Sequence, residues 1–323
     1  SDRMIHSLFD PEEVASERTV IISEREGSEN DPLFKLEEGM QMAAFKTHPY
    51  RNEVIGSLED LHAIQRDDLY QHYQTYYNPA NAVVAVAGDF NTQKMLDLLR
   101  ATYQSIPGKK VPPVGNLHEP PLQKEERIEV TGPGETTYLE MTWRAPAASD
   151  DDFYVLTVLD SLLTGPSGLN MFGGGGISNK TSRLYRALVE KELAISVNGS
   201  VQATMDPYLY GITLTVRPDS TPEKLLQKLD DEIARLLESP VPQDEIARAV
   251  KQARAMFVYG SENITNQAFW LGYSEMFAAY PWFLNYINNL EKVTPELMME
   301  KAREYLAPSR RVVGICRPEE KAS

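Results

Sequence analysis

At 323 residues, 42% hydrophobic and 24% charged, the chain is long enough for about two domains and has the composition of an ordinary globular protein. A formal charge of −15 argues against a nucleic-acid backbone or an anionic membrane as partner. The single cysteine, Cys316, excludes intramolecular disulfides and cysteine-based zinc centres, and its apolar neighbourhood predicts a small buried side chain.

Taken in chain order, the first strong signal is Asp10-Pro11-Glu12-Glu13, an N-cap, an N1 proline and early acids that open a helix. That helix is predicted to run to about Gly27. Met40, Met42 and Phe45 read as core, whereas His62 and His72 lie among polar neighbours and read as exposed. A helix ending near Tyr76 and Pro79 leads into the apolar run Ala82–Ala87, predicted to be a strand. Such runs are strand-sized, too short to cross a membrane, and no signal peptide is legible at Ser1.

The Pro-rich stretch Pro112–Pro121 reads as a linker. Beyond it, strands are predicted near 126–132 and 137–145, then helices near 150–163 and 179–191. Strands near 194–204 and 208–217 follow; in the latter, alternation of Tyr210, Ile212, Leu214 and Val216 marks one buried face. Helices near 221–238, 243–261, 264–279 and 294–306 precede a last strand near 310–316. Thr221-Pro222 and Thr294-Pro295 supply N-caps followed by N1 prolines, and Phe269, Trp270, Tyr273 and Phe277 read as core. Strands in hairpins followed by serial helices predict an α+β fold, a mainly antiparallel sheet covered by helices on one face.

The chain also matches itself at an offset of 229 residues. Leu61, Ile64, Asp67, Tyr76, Pro79, Val83, Val84 and Val86 correspond, without a gap, to Leu290, Val293, Glu296, Tyr305, Pro308, Val312, Val313 and Ile315. This duplication divides the chain into 1–118, the later part of a first copy, and 119–323, a complete second copy. The counterpart of Arg127 falls roughly a hundred residues before Ser1, so the opening segment of the first copy is expected to lie outside this chain.

Within the acidic helix, Glu17 and Glu24 are seven residues apart and so fall within ~20° of each other. Val14, Val20 and Ile21 border the same arc, where a helix would ordinarily place apolar side chains. A buried carboxylate needs arginines, a metal or hydrogen-bond donors, unless the stripe lies at a solvated edge. At any offset from 229 to 232, the second copy places Ile246, Ala247, Arg248 or Ala249 opposite Glu17. Ala253, Arg254, Ala255 or Met256 stands opposite Glu24. The shared fold therefore does not require the pair, which points to function.

Glu17-Arg-Thr-Val-Ile-Ile-Ser-Glu24, followed by Glu29-Asn30-Asp31-Pro32, resembles the segment downstream of the inverted zinc motif, His-x-x-Glu-His, in pitrilysin/insulinase-type peptidases. His48-Pro49-Tyr50, Gly56, Tyr76–Ala82 and Gly88-Asp89 resemble the rest of that family's first domain. Gly173–Gly176, Ser182–Arg186 and Leu188–Val197 resemble its second. The resemblance implies a zinc-dependent endopeptidase parent acting on peptides or unfolded segments, with Glu24 as third zinc ligand and Glu17 as supporting acid. None of the five histidines, His6, His48, His62, His72 and His118, forms the motif. The chain alone is thus expected to bind no zinc tightly and to be inactive.

Many relatives also present an Arg and a Tyr to the substrate carbonyl from an inactive half or partner. Here Ile195 stands where the Tyr is expected and Val189 or Leu188 where the Arg is expected. The resemblance then implies a homodimer or a companion subunit that supplies the pair, and a peptide held as an extended strand along a sheet edge. The alternative is a non-catalytic scaffold or substrate-holding subunit of the same fold. Gly174–Thr181 approaches a phosphate-binding loop, but Asn179 replaces its second glycine and Leu159-Asp160 belongs to a helix pattern, so nucleotide binding is set aside.

Overall fold

The computed structural model describes residues 1–115, 117–168 and 180–319. The chain forms two compact units, one comprising Ser1–Glu29 and Asn52–His118, the other Asn30–Arg51 and Glu119–Ser323. The chain crosses between the units at 29/30, 51/52 and 118/119. The stretch Asn30–Arg51, read as part of the first copy, groups instead with the second unit.

In the first unit, α1 (Asp2–Ile5) precedes α2 (Pro11–Ser28), which opens where Asp10 accepts hydrogen bonds from the backbone N–H groups of Glu12 and Glu13. The excursion into the other unit carries α3 (Phe34–Ala44); the chain returns as α4 (Leu58–Ala63), α5 (Arg66–Tyr76) and α6 (Thr92–Tyr103). Helix α5 holds the turn before α2. Arg66 donates to the carbonyls of Phe9 (2.8 Å) and Leu8 (2.9 Å), and Phe9 packs on Tyr70 and Tyr73.

The second unit is built on a mixed sheet ordered β1-β5-β2-β4-β3. Its strands are β1 (Glu126–Gly132), β2 (Tyr138–Arg144), β3 (Ala194–Val201), β4 (Leu209–Val216) and β5 (Arg311–Pro318). The β1/β5 ladder is parallel and the other three are antiparallel, as a predominantly hairpin-like strand pattern requires. Leu139, Met141 and Trp143 of β2 and Tyr210, Ile212 and Leu214 of β4 point into the principal core. That core is roofed by α7 (Asp152–Leu163), α8 (Pro222–Glu238), α9 (Gln243–Gly260), α10 (Ile264–Phe277), α11 (Pro281–Leu290) and α12 (Pro295–Tyr305). Sequence reading passed over α11, and the 179–191 helix shrinks to a π-helical turn at Tyr185–Val189, residue 179 lying outside the described residues.

The other sheet face is not bare. Helix α3 packs across β1, β5 and β2, burying Leu36, Met40, Ala43 and Ala44 with Phe45, Leu209, Val312 and Cys316. Helices therefore flank both faces, where one covered face was predicted. Close approach is possible because Gly314 carries no side chain: a Cβ there would lie 2.5 Å from the Met40 sulfur. Met42, predicted as core, turns away from this contact and is 47% exposed, whereas Phe269, Trp270, Tyr273 and Phe277 do join the core.

The duplication is visible in element boundaries. Helix α5 and the 3-10 turn Pro79–Asn81 recur 229 residues later as α12 and the 3-10 turn Pro308–Arg310. The chains then diverge. In the second unit the next residues form β5, paired on both sides and buried; in the first unit Val83, Val84 and Val86 are 52%, 50% and 37% exposed and lie in no strand. The predicted strand at 82–87 is thus absent among the described residues. A β conformation needs a ladder partner for its N–H and C=O groups, and no described segment supplies one here.

Candidate metal-site helix

Helix α2 packs on α4, and Val14, Arg18, Ile21, Ile22 and Arg25 are partly or fully buried along it. Arg18 donates to the Ile64 carbonyl, and the buried Arg25 donates to the Gly56 carbonyl at 3.4 Å and pairs with Glu29 at 3.6 Å. These bonds pin the guanidinium face inward. Glu17 and Glu24, about 100° around the helix from Arg18 and Arg25, lie on an exposed flank beside the exposed Val20. The structure therefore brings the two carboxylates onto one side of one helix, exposed, and not against the body of the unit as an apolar-arc position implied. Neither side chain has a hydrogen-bond or ion-pair partner among the described residues.

The second copy shows what such a face is built to do. Helix α9 buries Ile246, Ala249, Ala253 and Phe257, and this side packs on α7, where the Ser161 hydroxyl donates to the Ala249 carbonyl at 2.9 Å. Positions opposite Glu17 and Glu24 are Ile246 and Ala253 at the ungapped offset of 229, or Ala249 and Met256 at 232, all on this helix-facing side, Met256 lining a small cavity beside Phe257. At 230 and 231 they are Ala247 with Arg254 and Arg248 with Ala255, of which Ala247, Arg248 and Arg254 are exposed.

The described residues do not bring together a set that fits a zinc ion. His62 and His72 are exposed on α4 and α5, and His6 pairs with Asp2 on α1. His48 is 3% exposed in the other unit; its Nδ1 accepts from the Tyr50 N–H at 3.1 Å and its Nε2 faces Asp206 at 3.3 Å, an assignment that places the proton on Nε2. No group of three or more His, Cys, Asp or Glu side chains among the described residues could hold a metal. At the positions of the expected Tyr and Arg, Ile195 is 55% exposed at a bulge in the edge strand β3, Leu188 is buried and Val189 is half-buried. Gly174–Asn179 of the set-aside phosphate loop lies outside the described residues.

Two buried carboxyls, and a third that is half-buried, are not singled out by the sequence. Asp160 of α7 is fully enclosed; it accepts from Thr164 Oγ1 at 2.7 Å and Ser167 Oγ at 2.6 Å, and burial pushes its pKa up to about 6. Burial, with the nearby Glu37, pushes Glu140 of β2 up to about 8. Burial acts in the same direction on Glu119. There it is outweighed by the backbone N–H groups of His48, Lys46 and Thr47, each 2.8 Å away, and the Thr47 hydroxyl, which together hold the carboxyl at about 2. The sequence signals available were an acid inside the apolar runs at 160 and 140.

The chain belongs to the pitrilysin-type M16 peptidase family: residues 63–253 match the model described as the peptidase M16 inactive domain. It is 26% identical over 322 residues to an uncharacterized zinc protease of Streptomyces coelicolor, covering 97% of this chain and 67% of that protein. Zinc protease PqqE of Helicobacter pylori is 25% identical over 262 residues, covering 80% of this chain and 56% of its own length. Among solved structures, a protease from Helicobacter pylori superposes with a TM-score of 0.85 at 21% identity, covering 97% of this chain and 73% of that one. The chain thus spans between about half and two thirds of the length of these curated relatives. It is an M16 inactive-type, zinc-protease-like module, and no helix among its described residues is long and apolar enough to cross a membrane.

Proposed function

We propose that this chain is the larger part of a zinc-dependent endopeptidase subunit. In it α2 presents Glu24 as metal ligand and Glu17 as supporting acid, while 119–323 is the homologous non-catalytic half. One observation carries the reading. At the ungapped repeat offset of 229, the α9 positions that correspond to Glu17 and Glu24, Ile246 and Ala253, are buried on the side that packs on α7, so the fold reserves this side for a preceding helix. In the first copy the counterpart of α7 belongs to the roughly hundred-residue segment that the repeat places before Ser1. That helix is where the His-x-x-Glu-His motif would lie. Two carboxylates in place of Ile246 and Ala253 make sense where the facing helix brings a cation, and make none against an apolar helix.

The segment Ala82–Ala87 supports the same completion. Its counterpart β5 takes one parallel and one antiparallel neighbour, so the exposed valines await strands of the same missing segment. The substrate class is an extended peptide, and Ile195 with Leu188 or Val189 leaves the Arg/Tyr pair to a second copy or a companion subunit.

The longer natural gene product should carry His-x-x-Glu-His upstream; its absence there defeats the peptidase reading. The present chain should contain no stoichiometric zinc by elemental analysis and should leave a quenched fluorescent peptide intact. Chelator-sensitive hydrolysis by this chain alone would overturn the proposal. In the longer protein, Glu24→Gln should lose zinc, whereas Glu17→Gln should lower activity with folding preserved. Undiminished zinc in Glu24→Gln removes the ligand assignment.

A further inference from the structure

The face of β2 beneath α3 carries polar groups that its surroundings leave unsatisfied. Glu140, Thr142 and Arg144 alternate along it, and Glu140 Oε2, Thr142 Oγ1 and Arg144 Nε are buried without a hydrogen-bond partner. Arg144 is otherwise engaged: its guanidinium donates to the Ala44 carbonyl at 2.7 Å, lies 3.9 Å above the Phe45 ring and stands 3.9 Å from Glu119. Glu140 has no such cation. On the same face its neighbours are Gly211, Thr213 and Thr215 of β4 and Val312, Gly314 and Cys316 of β5, of which only the thiol ionises. Burial, with Asp31 nearby, raises that thiol. From above, α3 brings the carboxylate of Glu37. A carboxyl enclosed among uncharged side chains and facing a second carboxylate favours keeping its proton, whereas in water it would ionise near ~4.

We propose that α3 is a pH-sensitive cover, fastened to the sheet while Glu140 is protonated and loosened as the pH rises, because leaving the sheet lets Glu140 ionise. The sign follows from linkage. The docked helix retains a proton that the undocked state releases, so docking is strongest in acid and weakens until the docked carboxyl itself ionises, near pH 8. For one proton the limit is about a tenfold loss per pH unit. The seat of α3 favours local release: it meets the sheet through a small apolar cluster separate from the principal core, and Gly39 and Gly314 provide its tightest contacts. His48, whose ring lies 5.8 Å from Phe45 just beyond α3, is a second ionisable side chain beside the helix and has to be separated from Glu140.

The test is amide hydrogen exchange read by mass spectrometry between pH 5.5 and 8, corrected for intrinsic exchange rates, on the whole chain and on Glu140→Gln. In the unaltered chain, protection of peptides spanning 34–45 should fall by about ten- to a hundredfold, while peptides from β4 and α8 hold theirs. Glu140→Gln removes the ionisable group and leaves His48 in place, so its α3 protection should stay nearly flat. An equal fall in the variant, no fall in the unaltered chain, or the same fall throughout the unit each overturns the proposal. Should Glu140→Gln fail to fold, Glu37→Gln decides. Without the facing carboxylate the loss should level off at lower pH, and an unchanged profile sinks the idea.

Discussion

Asp160 and Gly199 form a matched pair at the residue scale. A Cβ on Gly199 of β3 would lie 1.8 Å from Asp160 Oδ1 and 2.3 Å from Thr164 Oγ1, both held by α7. Gly199→Ala should therefore cost at least ~1–3 kcal/mol in urea unfolding, since neither buried partner has room to retreat. Asp160 itself keeps its proton in the folded state to about pH 6 and loses it near 4 when unfolded. The folded state then binds the extra proton between those values, so stability falls as pH rises from 4 to 6. The difference between the unaltered chain and Asp160→Asn across that window should show this slope, and a flat difference would refute the buried, uncompensated carboxyl. Glu119 carries the opposite sign. Its folded pKa of about 2 means that its contribution is complete above ~4.3 and vanishes toward pH 2. Glu119→Gln should cost ~1–3 kcal/mol at neutral pH by weakening the acceptor of three backbone N–H groups, with the deficit shrinking in acid unfolding.

At the scale of elements, helix starts were plain in the sequence because a cap is a contact of a few residues. Asp10, Thr221 and Thr294 each accept from a backbone N–H in the first turn, as their spacing to the N1 prolines foretold. Asp10→Ala should lower the local stability of α2 by ~0.5–2 kcal/mol, read as faster exchange of its first-turn amides without change in unit two. What α2 does with its faces was less legible. The period placed Glu17 and Glu24 together, but a helix exposes whichever side its neighbours leave free, and the bonds of Arg18 and Arg25 to the carbonyls of Ile64 and Gly56 decide that. Met42 misled for the same reason: α3 has one sheet to cover, and Leu36, Met40, Ala43 and Ala44 take that side. Strand 82–87 failed because strand propensity is realised only in a ladder.

For the whole molecule, the contrast between the two copies is the useful guide. The second buries its repeat strand inside a sheet, between β1 and β2, and the first leaves the matching valines exposed. An exposed apolar stretch of high β propensity favours edge-to-edge association. The chain should therefore self-associate in light scattering at rising concentration, and replacing Val83, Val84 and Val86 with Thr should reduce this while leaving the unfolding of the second unit unchanged. Association that persists in the triple variant would place the sticky surface elsewhere.

The sequence by itself determined the family, the α+β pattern and the seven-residue spacing of Glu17 and Glu24. Each of these is a local or periodic property, and period and spacing survive without knowledge of distant neighbours. Only the tertiary structure decided that α3 covers the second sheet face, that the carboxylate stripe lies on an exposed flank of α2, and that Asp160 and Glu140 are enclosed without a cation among the described residues. Those outcomes depend on which segments remote in the chain come to lie against one another, and a carboxyl's charge state follows from that enclosure.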